Sequence, residues 1–175
     1  MSSRGFTLIE MMVTIALLTI ALGIAVPEMR SWLEIRKTRA AAEALLDGVR
    51  LARQEALTRN AGVEFRYDSA TRTWAIGCAA VTTTCPATIR SREVYRAGNS
   101  TSITVNPTGT SILTFTGIGT RRATNADTSA PMQLLTASST LSSIDQEYAI
   151  AITAGGQNKL CDPAVATAGD PRKCP

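Results

Sequence analysis

A continuous, predominantly apolar run from Phe6 to Val26, broken by one carboxylate at Glu10, constrains this chain more than any other stretch. About 20 such residues is what a helix needs to cross the hydrocarbon of a bilayer, so a membrane-spanning segment is expected near the start. A carboxylate inside such a helix costs roughly 2.5 to 3.5 kcal/mol on insertion scales. Glu10 therefore needs either water at the headgroup level or a cationic partner. Cleavage after Gly5 would supply one, because Phe6 would then carry a free ammonium group one helical turn away and equally within reach of a neighbouring helix.

The string Gly5-Phe6-Thr7-Leu8-Ile9-Glu10, followed by the apolar run, resembles the class III leader of type IV pilins and of the pseudopilins of type II secretion. The resemblance implies that a prepilin peptidase cuts between Gly5 and Phe6, that Phe6 is N-methylated, and that Glu10 pairs with a neighbouring subunit's amine during filament assembly. A conventional signal peptide removed near Ala25 is the alternative, but its apolar core would run only about 7 to 15 residues. The positive-inside tendency runs against the implied orientation. Only Arg4 and the amino terminus would flank the helix inside, whereas Arg30, Arg36, Lys37 and Arg39 would lie outside. A five-residue tail leaves little room for the usual bias, and the leader and the cysteines outweigh it.

Beyond the apolar run the residues form one amphipathic helix. Pro27 is expected to kink or interrupt the helix without ending it, since helix formers resume from Glu28 to Leu33. From Ala42 onward Leu45, Leu46, Val49, Ala52, Ala56 and Leu57 recur at intervals of three and four, the stripe of a helix with one buried face. Asn60-Ala61-Gly62 should end it. If helical throughout, Phe6 to Leu57 would measure about 78 Å. Leu51 to Asn60, with Arg53, Glu55, Arg59 and Asn60, resembles the end of the long helix in the GspH/FimT group of minor pilins and pseudopilins. Arg53 and Glu55 lie two apart and do not face each other, so they read as separate solvated or head-contacting charges.

After Gly62 the period changes to two. Val63, Phe65 and Tyr67 alternate with Glu64 and Arg66, and Trp74, Ile76 and Cys78 alternate after a turn at Asp68 to Arg72, which predicts a hairpin. Further strands are expected at Thr88–Tyr95, Ser102–Val105, Ser111–Thr116, Met132–Thr136 and Glu147–Thr153. Breaks fall at Gly98-Asn99, Asn106 to Gly109, Gly117 to Gly119 and Gly155-Gly156. The Thr-, Ser- and Ala-rich stretch Ala123–Ser143 reads as an exposed loop holding one short strand. Leu113 to Phe115 looks like the central strand of the GspH/FimT head and Tyr148 to Gly156 like its last strand and turn. The implied fold is α+β and type IV pilin-like: a leader (1–5), a transmembrane half-helix (6–27), an amphipathic half-helix (28–60) and an antiparallel β-sandwich-like head (61–175).

Composition limits the chemistry. The sequence has 175 residues, so about 120 remain outside the helix, enough for one core-burying domain. With 45% hydrophobic residues it suits a tethered soluble domain and not a polytopic protein. A net charge of +4 does not by itself mark a nucleic-acid binder. There is no histidine, which removes Ser-His-Asp and Cys-His catalysis and disfavours a zinc site. No nucleophile elbow, phosphate loop or metal-ligand spacing occurs, and Gly117-Ile118-Gly119 lacks the rest of a nucleotide fingerprint. Asp145 and Glu147 would share a strand face, a pattern commoner in exposed edges than in acid/base pairs. No enzyme activity and no cofactor are expected; a single-pass periplasmic enzyme on an ordinary anchor is the alternative from another class.

Cys78, Cys85, Cys161 and Cys174 all follow the membrane run, and an even number outside the cytoplasm points to two disulfides. Four cysteines allow three connectivities; Cys78 with Cys85 and Cys161 with Cys174 is favoured because each pair closes a short loop. Some FimT-type minor pilins bind DNA through a C-terminal Gly-Arg-x-Arg stretch. The corresponding positions, Gly156 to Cys161, keep only the glycine, with Lys159 at the second arginine. Arg172 and Lys173 add two cations on the expected disulfide loop, and Arg121 and Arg122 are candidates to join them. Three or four cations give weak, salt-sensitive binding. The expected partners are therefore other minor and major pilins or pseudopilins, the prepilin peptidase and the bacterial inner membrane, with the head in the periplasm and the mature subunit in or at the tip of a pilus or pseudopilus. DNA is a further candidate.

Overall fold

The computed structural model describes residues 6–94, 101–106, 108–141 and 144–175. Gly5, the end of the strand expected to reach Tyr95, the Gly98-Asn99 break, Pro107 and Ser143 lie outside them.

Helix α1 (Leu8–Arg59) has 52 residues. Thr7 caps it: its hydroxyl accepts the Glu10 N–H at 3.3 Å, and Glu10 Oε2 accepts the Thr7 N–H at 3.5 Å, a reciprocal capping box. Pro27 does not end the helix, as expected, and α1 runs through it without interruption. One missing backbone donor is outweighed by helix formers on both sides. The helix stops at Asn60, whose left-handed backbone (φ 48°) lets the Ala61 N–H fold back onto the Ala56 carbonyl at 3.2 Å.

The two halves of α1 live in different surroundings. Its described apolar side chains from Leu8 to Leu33 are exposed, whereas Ala41, Ala42, Leu45, Leu46, Val49, Ala52 and Ala56 are buried under the head. Leu57, expected on that buried stripe, is 48% exposed. It lies one residue, about 100° of helix, beyond Ala56 and rests against the Gly119 turn instead of entering the core.

The head is two four-stranded antiparallel sheets. The strands are β1 (Val63–Asp68), β2 (Thr73–Cys78), β3 (Arg90–Glu93), β4 (Thr101–Asn106), β5 (Ile112–Phe115), β6 (Leu134–Ser139), β7 (Glu147–Ile152) and β8 (Asn158–Cys161). One sheet runs β3-β2-β1-β5 and the other β4-β6-β7-β8. In the β1–β2 hairpin Phe65 stands opposite Ile76 and Tyr67 opposite Trp74, so the alternation read from the sequence puts Val63, Phe65, Tyr67, Trp74, Ile76 and Cys78 on the buried face. Phe65, Ile76, Leu113, Phe115, Leu135 and Ile150 of both sheets share one core with Leu45 and Val49 of α1. Burial of side chains this size stabilises by about 1.5–3 kcal/mol each.

Two expectations need correction. Tyr148–Gly156 is not the last strand and turn, because β8 follows and pairs with β7, Cys161 opposite Ala149. Only two of its residues are buried or lean on apolar neighbours, Leu160 and Cys161, so it carries little hydrophobic signal. The stretch 123–143 is not merely exposed loop. Met132 and Asn125 are buried, and the strand inside it begins at Leu134, later than Met132.

Candidate functional site

Two surfaces carry the residues singled out by the sequence. The first is the N-terminal half of α1. Phe6 and Leu8 are each 78% exposed and Ile24 is 70% exposed, and the apolar stretch is long and hydrophobic enough to cross a membrane. Glu10 sits in its first turn, where a carboxylate also complements the helix dipole. Thr7 is the residue missed there. The signal was legible, a threonine three residues before a glutamate at the head of an apolar run.

The second surface is the end of the head. Cys78 is bonded to Cys85, with Cα atoms 5.6 Å apart, and Cys161 to Cys174 at 5.1 Å. The second bridge folds residues 162–173 back beside β8, where the Asp162 N–H donates to the Arg172 carbonyl at 2.7 Å. This brings Lys159, Arg172 and Lys173 together. Lys159 Nζ donates to the Lys173 carbonyl at 3.2 Å, and Lys173 Nζ to the Ala166 carbonyl at 3.0 Å. Arg172 is already engaged: its Nη2 lies 2.9 Å from Asp170 Oδ2 and its Nε 3.3 Å from Oδ1. The hydrogen bond from the Arg172 side chain, then that from its backbone N–H, holds the Asp170 carboxyl below its ordinary range, and Asp170 raises Arg172 in return.

Arg121 and Arg122 do not join this cluster. The Arg121 N–H donates to the Ala154 carbonyl, so the pair sits by the β7–β8 turn, while Arg172 lies at the opposite end of β8. Four strand residues separate the two ends by about 10 Å or more. Nε and Nη1 of Arg121 are buried, whereas Arg122 is exposed.

Gly117 to Gly119, read from the sequence only as a break between strands, docks the head on the helix end. Arg53 Nε donates to the Gly119 carbonyl at 2.9 Å, and Arg59 Nη1 reaches the Thr84 carbonyl at 2.6 Å. Arg53 is thus head-contacting, while Glu55 pairs with Arg59 at 2.9 Å. A Cβ on Gly117 would lie 2.7 Å from the Asn60 backbone, so the approach depends on glycine there. Asp145 precedes β7 and does not form a strand-face pair with Glu147. No group of three or more metal-ligating side chains occurs among the described residues.

Two family models match. The prokaryotic N-terminal methylation motif matches residues 1–26, and the model described as type II transport protein GspH matches residues 41–156. Among solved structures, the type IV minor pilin FimU of Pseudomonas aeruginosa is similar with a TM-score of 0.54 at 18% identity, over 78% of this chain and 99% of that one. The minor pseudopilin EpsH from the type 2 secretion system of Vibrio cholerae gives 0.55 at 12% identity, over 74% of this chain and 99% of that one. Curated protein sequences give no match. These likenesses share the α+β arrangement of one long helix on antiparallel sheets, and with the GspH model spanning most of the head and the methylation motif the apolar run, the chain belongs to the GspH family of minor pilins and pseudopilins.

Proposed function

We propose that this protein is a non-enzymatic filament subunit that helps initiate or cap a type IV pilus or type II secretion pseudopilus. It is cut between Gly5 and Phe6, methylated on Phe6 and anchored in the inner membrane by residues 6–27 with its head in the periplasm. The observation that carries this reading is the half of α1 from Leu8 to Leu33. From Leu8 to Val26 it is predominantly apolar on all faces, none of its described side chains is buried in the head, and it carries one carboxylate in its first turn. In lipid that surface is solvated; in a filament it packs against other helices, and Glu10 neutralises the amine that cleavage creates.

Glu10 has a second role, capping its own helix, and two variants separate them. Glu10→Ala removes both the charge and the cap, whereas Glu10→Gln keeps a capping acceptor and loses only the charge. Both variants are expected to enter the membrane and to be missing from sheared filaments. Filaments that incorporate Glu10→Gln as readily as the parent would refute charge neutralisation. Mass spectrometry of filament-derived protein is expected to find a methylated N-terminal Phe6; retention of Met1 would refute the leader assignment.

Convergence of Lys159 on β8 with Arg172 and Lys173 on the disulfide-closed loop beside it supports a second reading, a DNA-binding subunit acting in DNA uptake. Asp170 already occupies the Arg172 fork, which weakens it. Full-length protein in detergent is expected to retard duplex DNA at low salt and to lose this at raised salt. Changing Lys159, Arg172 and Lys173 to Ala should abolish retardation, and unretarded DNA with the parent protein would remove the reading.

A further inference from the structure

The head reaches further down α1 than the buried stripe of that helix shows. Leu141, after β6, and Ile144, before β7, line one open groove with Leu22, Gly23, Val26 and Arg30 of α1. The Ile144 N–H donates to the Leu141 carbonyl at 3.1 Å. Ile144 is tucked in at 9% exposure, while the Leu141 side chain is left 45% exposed. Gly23 opens a notch in the helix side of the groove, since a Cβ there would meet nothing within 4 Å.

These positions can be set against a bilayer. Leu8 to Val26 is about 28 Å of helix, close to the ~30 Å of a hydrocarbon core, so the edge of the hydrocarbon falls near Val26. Leu22 and Gly23 then lie about 5 Å inside that edge, and Arg30 about 6 Å outside it, in the headgroup layer. Trp32 and Arg36 follow on the water side, the guanidinium 4.5 Å from the ring centroid, an amphipathic pair of the kind enriched at membrane surfaces. The groove therefore straddles the boundary, apolar at one end and cationic at the other, and the head presents Leu141 to it.

Nothing charged occurs in the sequence from Leu134 to Ile144, so bringing this end of the head to the hydrocarbon edge strips no ion of its water. Glu28 and Asp145 are exposed and stay in the headgroup water. Arg30 forms no ion pair among the described residues. A neighbouring apolar helix could fill the notch but would leave Arg30 without a partner, whereas a phospholipid satisfies both ends. We propose that Leu141 and Ile144 give the head its own membrane contact and that the groove seats a phospholipid. Its acyl chain lies along Leu22, Gly23, Val26 and Leu141, and its phosphate accepts from Arg30. A contact off the helix axis fixes how the head is turned over the membrane, which a lone spanning helix leaves free. The inference rests on the membrane-anchored reading of residues 6–27, and the test reports on the two separately.

The test uses the full chain in phospholipid bicelles, with amide NMR signals followed as phospholipid bearing a nitroxide near the headgroup or at the chain end is added. The chain-end nitroxide is expected to erase Leu17, and the headgroup-side nitroxide to erase Leu141 and Ile144. Neither should touch Ile118, an equally apolar and 74% exposed residue at the other end of the head. Leu141→Asp is expected to restore the Ile144 signal with Leu17 still erased. Arg30→Glu, which repels the phosphate, should restore Leu141, and an unchanged loss there overturns the seated phospholipid. Sharp Leu141 and Ile144 signals beside an erased Leu17 overturn the proposal and leave the anchor standing; a sharp Leu17 overturns both. Losses that follow protein concentration and not the nitroxide place a second copy in the groove and overturn the proposal too. The measurement on the parent protein needs no substitution, so it decides the matter even if Leu141→Asp does not fold.

Discussion

At the scale of single residues, Asn125 shows how much one side chain can organise. Its Oδ1 accepts from the Thr114 backbone N–H at 3.1 Å and from the Thr114 hydroxyl at 2.9 Å. Its Nδ2 donates to the Ile112 carbonyl at 3.0 Å, to Ser129 Oγ at 3.0 Å and to the Ala130 carbonyl at 3.2 Å. It thereby fastens the stretch after β5 against β5 itself, and it is 3% exposed. Asn125→Ala strands buried groups on both sides, each costing about 1–3 kcal/mol. We expect the variant to lose about 3 kcal/mol or more of unfolding free energy in a urea titration. Asn125 could not be picked out in the sequence. It sits among small polar residues, and nothing local distinguishes a side chain that turns inward to bond partners eleven and thirteen residues back. Glu10 was legible because its cost is local: one charge in an oily run.

At the scale of elements, periodicity served where one face is buried and failed where burial is partial. The α1 stripe and the β1–β2 hairpin repeat over several residues and were readable. β8 was not, since Asn158 and Lys159 break any alternation before Leu160 and Cys161, and its place is secured by pairing with β7. Gly48 is a quieter case within α1. Glycine costs about 1 kcal/mol against alanine in a helix, yet a Cβ here would lie 2.8 Å from Phe65 Cε2 and 2.9 Å from Trp74 Cδ2. The stacked rings of Phe65 and Trp74, 6.1 Å apart, occupy the space that a side chain would need. Gly48→Val is expected to destabilise by about 1–3 kcal/mol, read as a lowered urea midpoint with an unchanged slope.

At the scale of the whole molecule, the core runs through the distal half of α1 and both sheets, and no described side chain from Leu8 to Leu33 is buried. A chain starting at Arg30 is therefore expected to be soluble without detergent and to unfold within about 1 kcal/mol of the full-length head, checked by denaturant titration of both. A loss larger than that would show that the apolar half braces the head. The architecture was legible because a long helix and a run of period-two strands leave few arrangements. The surface chemistry was less so. The matched GspH region ends at residue 156, and Lys159 on β8 and Arg172 and Lys173 on the loop held by a disulfide and a carboxylate partner lie beyond it.

The junction at the helix end has a mechanical consequence. Arg53 clasps the Gly119 carbonyl, Gly117 seats against Asn60, and Arg59 holds Thr84 from another side. These grips lie around the rod and not along one line, so the globule cannot swivel on its shaft. Tension or torque arriving through the apolar end of α1 is delivered at this junction to the loops after β2 and β5, both of the β3-β2-β1-β5 sheet.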